Sequence, residues 1–213
     1  MKIIVTCGPS YEPIDQARRL TNFSTGKLGI TLSNAFADRG WQVYCLKGEQ
    51  ATCPEPLHVH AVEAFSTNQD LADKVEALSR AEKIDAVFHA AALCDFKVGS
   101  VVNEAGEVLV SPKYSTREGQ LRLVLAPTVK VLPQLRGWFP QARIVGWKYE
   151  LAGTQADAFD KAAQQLRECR TDACVLNGAA YGSGFAICTP DGAAKKCADS
   201  AALTQLLAQW LSV

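Results

Sequence analysis

The chain has no surplus of charge, since 22 basic and 22 acidic side chains cancel over 213 residues. A nucleic-acid binder normally shows a basic face, so that class is set aside. No apolar run is long enough to span a membrane. The opening MKIIVTCG reads as a strand, because its apolar run is too short for a signal peptide and lacks a small-residue cleavage site. The eight cysteines (Cys7, Cys45, Cys53, Cys94, Cys169, Cys174, Cys188 and Cys197) form no C-x-x-C pair and no zinc spacing. Several stand inside apolar runs, as small core residues do, which points to reduced thiols in a cytoplasmic protein with no resident metal. His58, His60 and His89 lie on or near strands, with no serine or aspartate patterned to make a triad. Both glycine signatures for phosphates are missing: there is no G-x-G-x-x-G and no G-x-x-x-x-G-K-[ST].

What the chain does have is an unusual first connection. Lys2 to Val5 reads as a strand, and LGITLSNAFADRG as a helix with Leu28, Leu32, Ala35 and Phe36 on one face. Between them runs TCGPSYEPIDQARRLTNFSTGKLG, Thr6 to Gly29. Compact domains rarely keep so long a strand-to-helix loop without a use for it. It carries Gly8, Arg18, Arg19, Asn22, Ser24, Thr25, Gly26 and Lys27. Backbone N–H groups at a helix start, hydroxyls and fixed positive charge are the groups that hold phosphates and carboxylates. Open α/β sheets hold ligands at this end of their strands.

Strand and helix patterns then alternate. Trp41–Gly48, His58–Val62 and the run KIDAVFHAAAL read as strands, and Asn68–Ala81 as a helix with Asn68 at its N-cap. Residues 95–119 show little periodicity and read as a flap. QLRLVLAP is a strand, TVKVLPQLRGWFP a short helix, Ala142–Glu150 a strand, Asp157–Arg170 a helix, and Asp172–Ala180 a strand. GFAICTPDGAAKKC reads as a hairpin about a two-residue Asp191-Gly192 turn, before a last helix capped by Ser200. The expected fold is α/β: a Rossmann-like doubly wound, mostly parallel sheet with a C-terminal β-hairpin and a flap, in one domain over residues 1–213.

Three further residues stand at strand ends or in the flap. Asp95 directly follows a buried strand, where a carboxylate faces the ligand crevice or caps a helix. Lys113, in SPKYST, reads on its own as a solvated loop lysine. Asn177 ends a strand, as a crevice amide or a turn former.

Four stretches in order, GPSYEPIDQARRLTNFSTGKLG, AALCDF, KYST and WFPQARIVGWKYE, make the chain similar to phosphopantothenoylcysteine synthetase, or phosphopantothenate–cysteine ligase, of coenzyme A biosynthesis. The similarity covers nearly the whole chain and looks like a stand-alone synthetase with no decarboxylase half. It implies activation of the 4′-phosphopantothenate carboxylate by a nucleoside triphosphate to an acyl nucleotide, then displacement by the amine of L-cysteine. It implies that Asn22, Arg18 and Lys113 are catalytic, with Asn22 and Arg18 on the acyl intermediate. Gly8, Ser24, Thr25, Gly26, Lys27 and Ala92 would bind substrate. Ala91, Asp95, Lys113, the turn Ala126, Pro127, Thr128 and Val129, Trp147 and Asn177 would contact the nucleotide. CTP is the expected nucleotide, with ATP the other possibility, Mg²⁺ on the triphosphate, and a homodimer as the assembly. AAQQLRECRTD, ahead of Asn177, has no lysine where many members do, so Arg167 or Arg170 is expected to replace it. The alternatives are a short-chain NAD(P)-dependent oxidoreductase, which needs a glycine fingerprint and a Tyr-x-x-x-Lys pair, and a non-catalytic ligand-binding protein on the same fold.

Overall fold

A computed structural model describes residues 1–212, apart from the side chain of Glu118. Strand β1 (Lys2–Cys7) leads into a small antiparallel hairpin, β2 (Tyr11–Pro13) and β3 (Arg19–Thr21), inside the long first loop. Helix α1 (Lys27–Ala37) returns the chain to β4 (Gln42–Gly48) and β5 (Ala61–Phe65), followed by α2 (Asn68–Ala81) and β6 (Ala86–His89). Strands β7 (Phe96–Val102), β8 (Val108–Leu109) and β9 (Arg122–Pro127) form a separate antiparallel sheet in the order β8-β7-β9. Then come α3 (Leu135–Trp138), β10 (Arg143–Tyr149), α4 (Gln155–Cys169) and β11 (Ala173–Gly178). Strands β12 (Gly182–Cys188) and β13 (Ala194–Cys197) precede α5 (Ser200–Leu211).

The main sheet runs β13-β12-β11-β10-β6-β1-β4-β5. It is parallel from β11 to β5, with β12 and β13 antiparallel at one edge. This is the doubly wound arrangement, and its cause is visible in the strands. Ile3 to Cys7 are all buried, as they must be where helices cover both faces. The side-chain period of two sorts them. Ile3, Val5 and Phe88 pack with Leu32 and Phe36 of α1 and Leu203 and Leu207 of α5. Ile4, Val87 and Ile144 pack with Leu71 and Val75 of α2 and Leu135 of α3 on the opposite face. Gly29 lets α1 lie close on β1, since a Cβ there would stand 2.2 Å from the Cβ of Cys7. All eight cysteines are free thiols, seven of them buried.

Several local expectations change. The third strand begins at Ala61 rather than His58, because Asn34 of α1 holds the preceding loop: it donates to Pro56 O at 2.9 Å and accepts from His58 N–H at 3.2 Å. Thr67, not Asn68, caps α2, and Asp199, not Ser200, caps α5. The expected flap is a true sheet reaching to Pro127, and QLRLVLAP pairs with β7 there instead of joining the main sheet. The C-terminal hairpin turns more widely than two residues. Thr189 N–H bonds to Ala193 O at 3.0 Å, and Gly192 takes a left-handed φ of 84°.

Candidate functional site

The strand order places β1 beside β6, with the chain leaving β1 toward β4 on one side and β6 toward β10 on the other. Connections that diverge in this way leave a crevice at the carboxyl ends of the two strands. The long first loop fills it. Its neck is closed by two left-handed glycines: a Cβ on Gly26 would meet the Cα of Gly8 at 3.3 Å and the Cβ of Ala51 at 3.0 Å. Between these glycines the chain travels out along β2, back along β3, and across to the end of β6. There Ala92 N–H donates to Gly8 O at 3.0 Å, Ser10 N–H donates to Ala92 O at 3.2 Å, and Asn22 Nδ2 donates to the same carbonyl at 3.0 Å. Gly8, Asn22 and Ala92, distant in sequence, therefore meet at the switch point.

Beneath them, buried Thr6 and His89 share a hydrogen bond of 2.8 Å, and Ala91 N–H donates to the Thr6 hydroxyl at 3.3 Å. Burial pushes the His89 imidazole down to about 4, so it stays neutral and serves the core.

Helix α1 starts at Gly26 with no side-chain cap and no acidic residue in its first turn. Lys27 N–H makes a long bond to the Thr25 hydroxyl at 3.3 Å; the N–H groups of the next residues, and the positive end of the dipole, are available to an anion. They border a cleft of about 370 Å³ whose lining includes Ser24, Thr25, Gly26, Lys27, Thr31 and Ala90. The lining also includes Phe185 of β12 and Ser200 at the start of α5. Trp147 and Phe185 pack on the core cluster shared with α1 and α5, and Asn177 alternates with Val175 onto the same face. Trp147 Nε1 and Asn177 Oδ1 are buried with no hydrogen-bond partner among the described residues. An orphaned buried donor or acceptor costs about 1–3 kcal/mol; neither residue lines the cleft, and Ser33 Oγ and Thr171 Oγ1 are left unpaired in the same way.

The remaining residues expected near the nucleotide lie on the flap side. Ala91 and Val129 pack with the opposite core cluster. Ala126 and Pro127 are the end of β9 rather than part of a turn, paired with Lys97 and Phe96. Thr128 N–H bonds to Asp95 O at 3.1 Å, and the exposed Asp95 carboxylate makes an ion pair with Lys130. The base of the flap is tied by Asn68, which is fully buried. Its Nδ2 donates to Cys94 O at 2.7 Å and Val129 O at 2.9 Å, while its Oδ1 accepts from the Ser10 hydroxyl at 2.6 Å.

Arg18 and Lys113 come together through backbone. Arg18 Nη2 donates to Tyr114 O at 2.8 Å, and Gln16 N–H donates to Pro112 O at 3.0 Å. Lys113 lies between, its side chain exposed. Arg167 and Arg170 do not reach the crevice. Helix α4 runs back against the strand direction, so its last turn lies at the opposite end of the sheet, where Arg170 O accepts from Arg136 Nε at 3.1 Å. A lysine is present in α4 after all, Lys161, which bonds Glu150 Oε2 at 2.5 Å. Gly178, φ 112°, has no room for a side chain, since a Cβ would stand 2.3 Å from Glu150 O. Phe185, Ser200 and Thr31 were not expected at a site. Ser200 reads in the sequence only as a helix cap, and Phe185 and Thr31 carry no mark there, because the packing that brings β12 and α5 beside α1 is not local.

Among the described residues, no group of three or more ligating side chains is placed to hold a metal ion. No helix there is long and apolar enough to cross a membrane.

Comparison with known proteins agrees with this architecture. The coenzyme A biosynthesis bifunctional protein CoaBC of Mycobacterium tuberculosis is 31% identical over 192 residues, which is 90% of this chain and 45% of that protein. The protein of the same name from Bacillus subtilis is 30% identical over 189 residues, 88% of this chain and 44% of its own. The chain thus spans less than half the length of the curated relatives it matches. The crystal structure of the DNA/pantothenate metabolism flavoprotein from Streptococcus pneumoniae superposes with a TM-score of 0.86 at 21% identity, over 100% of this chain and 98% of the other. A Cab2 H337A mutant in complex with phosphopantothenate-cysteine superposes with a TM-score of 0.74 at 16% identity, over 99% of this chain and 85% of the other. Residues 1–196 match the model of the DNA/pantothenate metabolism flavoprotein C-terminal domain. The chain belongs to that family, the one whose synthetase its motifs resemble.

Proposed function

We propose that residues 1–213 form one ligase domain that joins 4′-phosphopantothenate to L-cysteine, using a nucleoside triphosphate. The observation that carries this reading is the uncapped start of α1, with Ser24, Thr25 and Lys27 on its cleft, beside the point where Asn22 meets Ala92. An anion site and an amide donor at one crevice suit a reaction between a carboxylate and a triphosphate. In the first step the carboxylate oxygen attacks the α-phosphorus, and pyrophosphate leaves. In the second the cysteine amine attacks the acyl carbon, the nucleoside monophosphate leaves, and the amine loses a proton.

The triphosphate sits at α1, where helix N–H groups, the Ser24 and Thr25 hydroxyls and Lys27 meet it. With no carboxylate on the cleft lining, the residues present suit Mg²⁺ carried on the phosphates, where it would neutralise charge on the leaving pyrophosphate. The base lies toward Trp147, Asn177 and Phe185, where aromatic faces and two unpaired polar atoms are available. Asn22 and Arg18 hold the acyl group against Ala92. Ala91, Asp95 and the segment Ala126–Val129 wall the flap side, and Lys113 is brought over the phosphates by the flap. No acyl-enzyme is needed, in keeping with the lack of a triad. The oxidoreductase alternative draws no support from the loop, which has no fingerprint to seat a dinucleotide.

Asn22→Asp removes the amide donor and sets a negative charge against an anion. The expected result is loss of product, or a build-up of acyl nucleotide, with the unfolding transition unchanged. Normal turnover in this variant would take Asn22 out of the site.

The nucleotide is expected to be CTP. The measurement is kcat/KM for CTP and ATP at saturating phosphopantothenate and cysteine. A preference for ATP of about tenfold, or about 1.4 kcal/mol, reverses the choice while leaving the ligation standing.

The assembly is a cytoplasmic homodimer in this reading. Phe96, Leu123, Val124 and Leu125 of the flap sheet and Phe23 of the first loop are exposed apolar side chains that a second copy would cover. Sedimentation equilibrium that returns the monomer mass at micromolar concentration excludes it.

A further inference from the structure

The tip of the β2–β3 hairpin holds a carboxylate that the reaction outlined above does not use. Asp15 is at the centre of five hydrogen bonds. Its Oδ1 accepts from Ala17 and Arg18 N–H, each at 2.8 Å, which closes the turn. Its Oδ2 faces the other way and accepts from Arg18 Nε at 3.0 Å, Arg18 Nη2 at 2.5 Å and Tyr114 N–H at 3.3 Å. The Asp15 side chain is fully covered, whereas Arg18 remains 48% exposed. The Arg18 guanidinium and the three backbone N–H donors hold the carboxyl far below the usual carboxylate range. Its neighbours reinforce the contact. Arg18 Nη2 also donates to Tyr114 O, and Gln16 N–H donates to Pro112 O. Lys113 is therefore clamped through the residues on both sides of it.

We infer that Asp15 is a positioning residue that locks Arg18 of the first loop and Lys113 of the flap into a single unit. With Nε and Nη2 engaged, Arg18 Nη1 makes no hydrogen bond among the described residues. One oxygen of Asp15 shapes the turn, and the other carries the clamp. The roles of Arg18 and Lys113 rest on the ligase reading, but the clamp itself does not.

The two oxygens can be separated by Asp15→Asn. Its Oδ1 still closes the turn, while its NH₂ cannot accept from Tyr114 or Arg18. A displacement of about 1 Å at a catalytic group can cost about 10²-fold in rate. The expected result is a fall in kcat of about tenfold or more with raised KM for both phosphopantothenate and the nucleotide, since the clamp carries Arg18 and Lys113 together. Amide hydrogen exchange at Tyr114 should speed up by about tenfold or more as its acceptor is lost. Asp15→Ser, which keeps a turn acceptor and has no second oxygen, is the companion variant should the asparagine form fail to fold. Unchanged exchange at Tyr114 overturns the clamp. Faster exchange with unchanged kcat and KM overturns its positioning role. A wild-type protein that forms no ligation product counts against the proposed function instead, and Tyr114 exchange still decides the clamp.

Discussion

Lys113→Gln is expected to lower turnover by about 10²–10³-fold and to leave the unfolding midpoint within about 1–2 °C. The two halves of this result have separate causes. The Lys113 side chain is exposed and makes no hydrogen bond among the described residues, so its removal costs the fold almost nothing. Its backbone is another matter, held on one side by Gln16 to Pro112 and on the other by Asp15 and Arg18 to Tyr114. A freely swinging ammonium on an anchored backbone is what a flap needs if it is to bring charge to a phosphate without remaking its hinge. Glutamine preserves the length and loses the charge. Turnover and thermal unfolding on one preparation decide the matter. A midpoint that falls by about 5 °C or more would assign the lysine a structural part, and unchanged turnover would remove it from the reaction.

The second large effect is on stability. Asn68→Ala leaves two carbonyls, Cys94 O and Val129 O, without a donor, and the Ser10 hydroxyl without its acceptor. All three lie at the base of the flap. Each buried group left unpaired costs about 1–3 kcal/mol, and such costs are not additive, so the expected loss is about 3 kcal/mol or more. For a chain of this size that corresponds to a midpoint lower by about 6–12 °C. Asn68→Asp is expected to do no better, since it keeps the acceptor for Ser10 but loses both donated bonds and buries a charge. A loss below about 1 kcal/mol in denaturant unfolding of Asn68→Ala would show that water replaces the amide and that the bridge is dispensable.

Asn68 also shows how far the sequence could be read. A polar residue ahead of an amphipathic stretch reads as a cap, and the cap is there, one residue earlier at Thr67. That Asn68 turns inward to join Ser10, Cys94 and Val129 depends on three segments meeting, which no local pattern encodes. The parallel strands were legible because burial on both faces writes a continuous apolar run, as in Ile3–Val5. The flap sheet was not. Strand β7 contains Gly99 and shifts register between Val98 and Ser100, so its alternation is broken in the sequence. The β2–β3 hairpin has three-residue strands, too short to show a period.

The first loop could be recognised as a site from its length and its polar groups, while the meeting of Asn22 with Ala92, 70 positions away, could not. Arg167 and Arg170 illustrate the opposite error. They lie close to Asn177 in sequence, but a helix that returns against the strands ends a full strand length from the crevice.

The paired glycines at the neck of the first loop carry a consequence for engineering. Gly8 and Gly26 touch, and α1 lies against β1 directly beyond them through Gly29 and Cys7. The strand and the helix are therefore already joined where the excursion of residues 9–25 departs. That excursion is a cassette. Its contents can be exchanged for those of a relative, or lengthened, without prising the helix from the sheet, provided both glycines stay. The graft has its tethers to respect: Ser10 to Asn68 and Ala92, Asn22 to Ala92, and the hairpin tip at Asp15, Gln16 and Arg18 to Pro112 and Tyr114 of the flap. A chimera should thus take residues 9–25 together with these partners from the same donor.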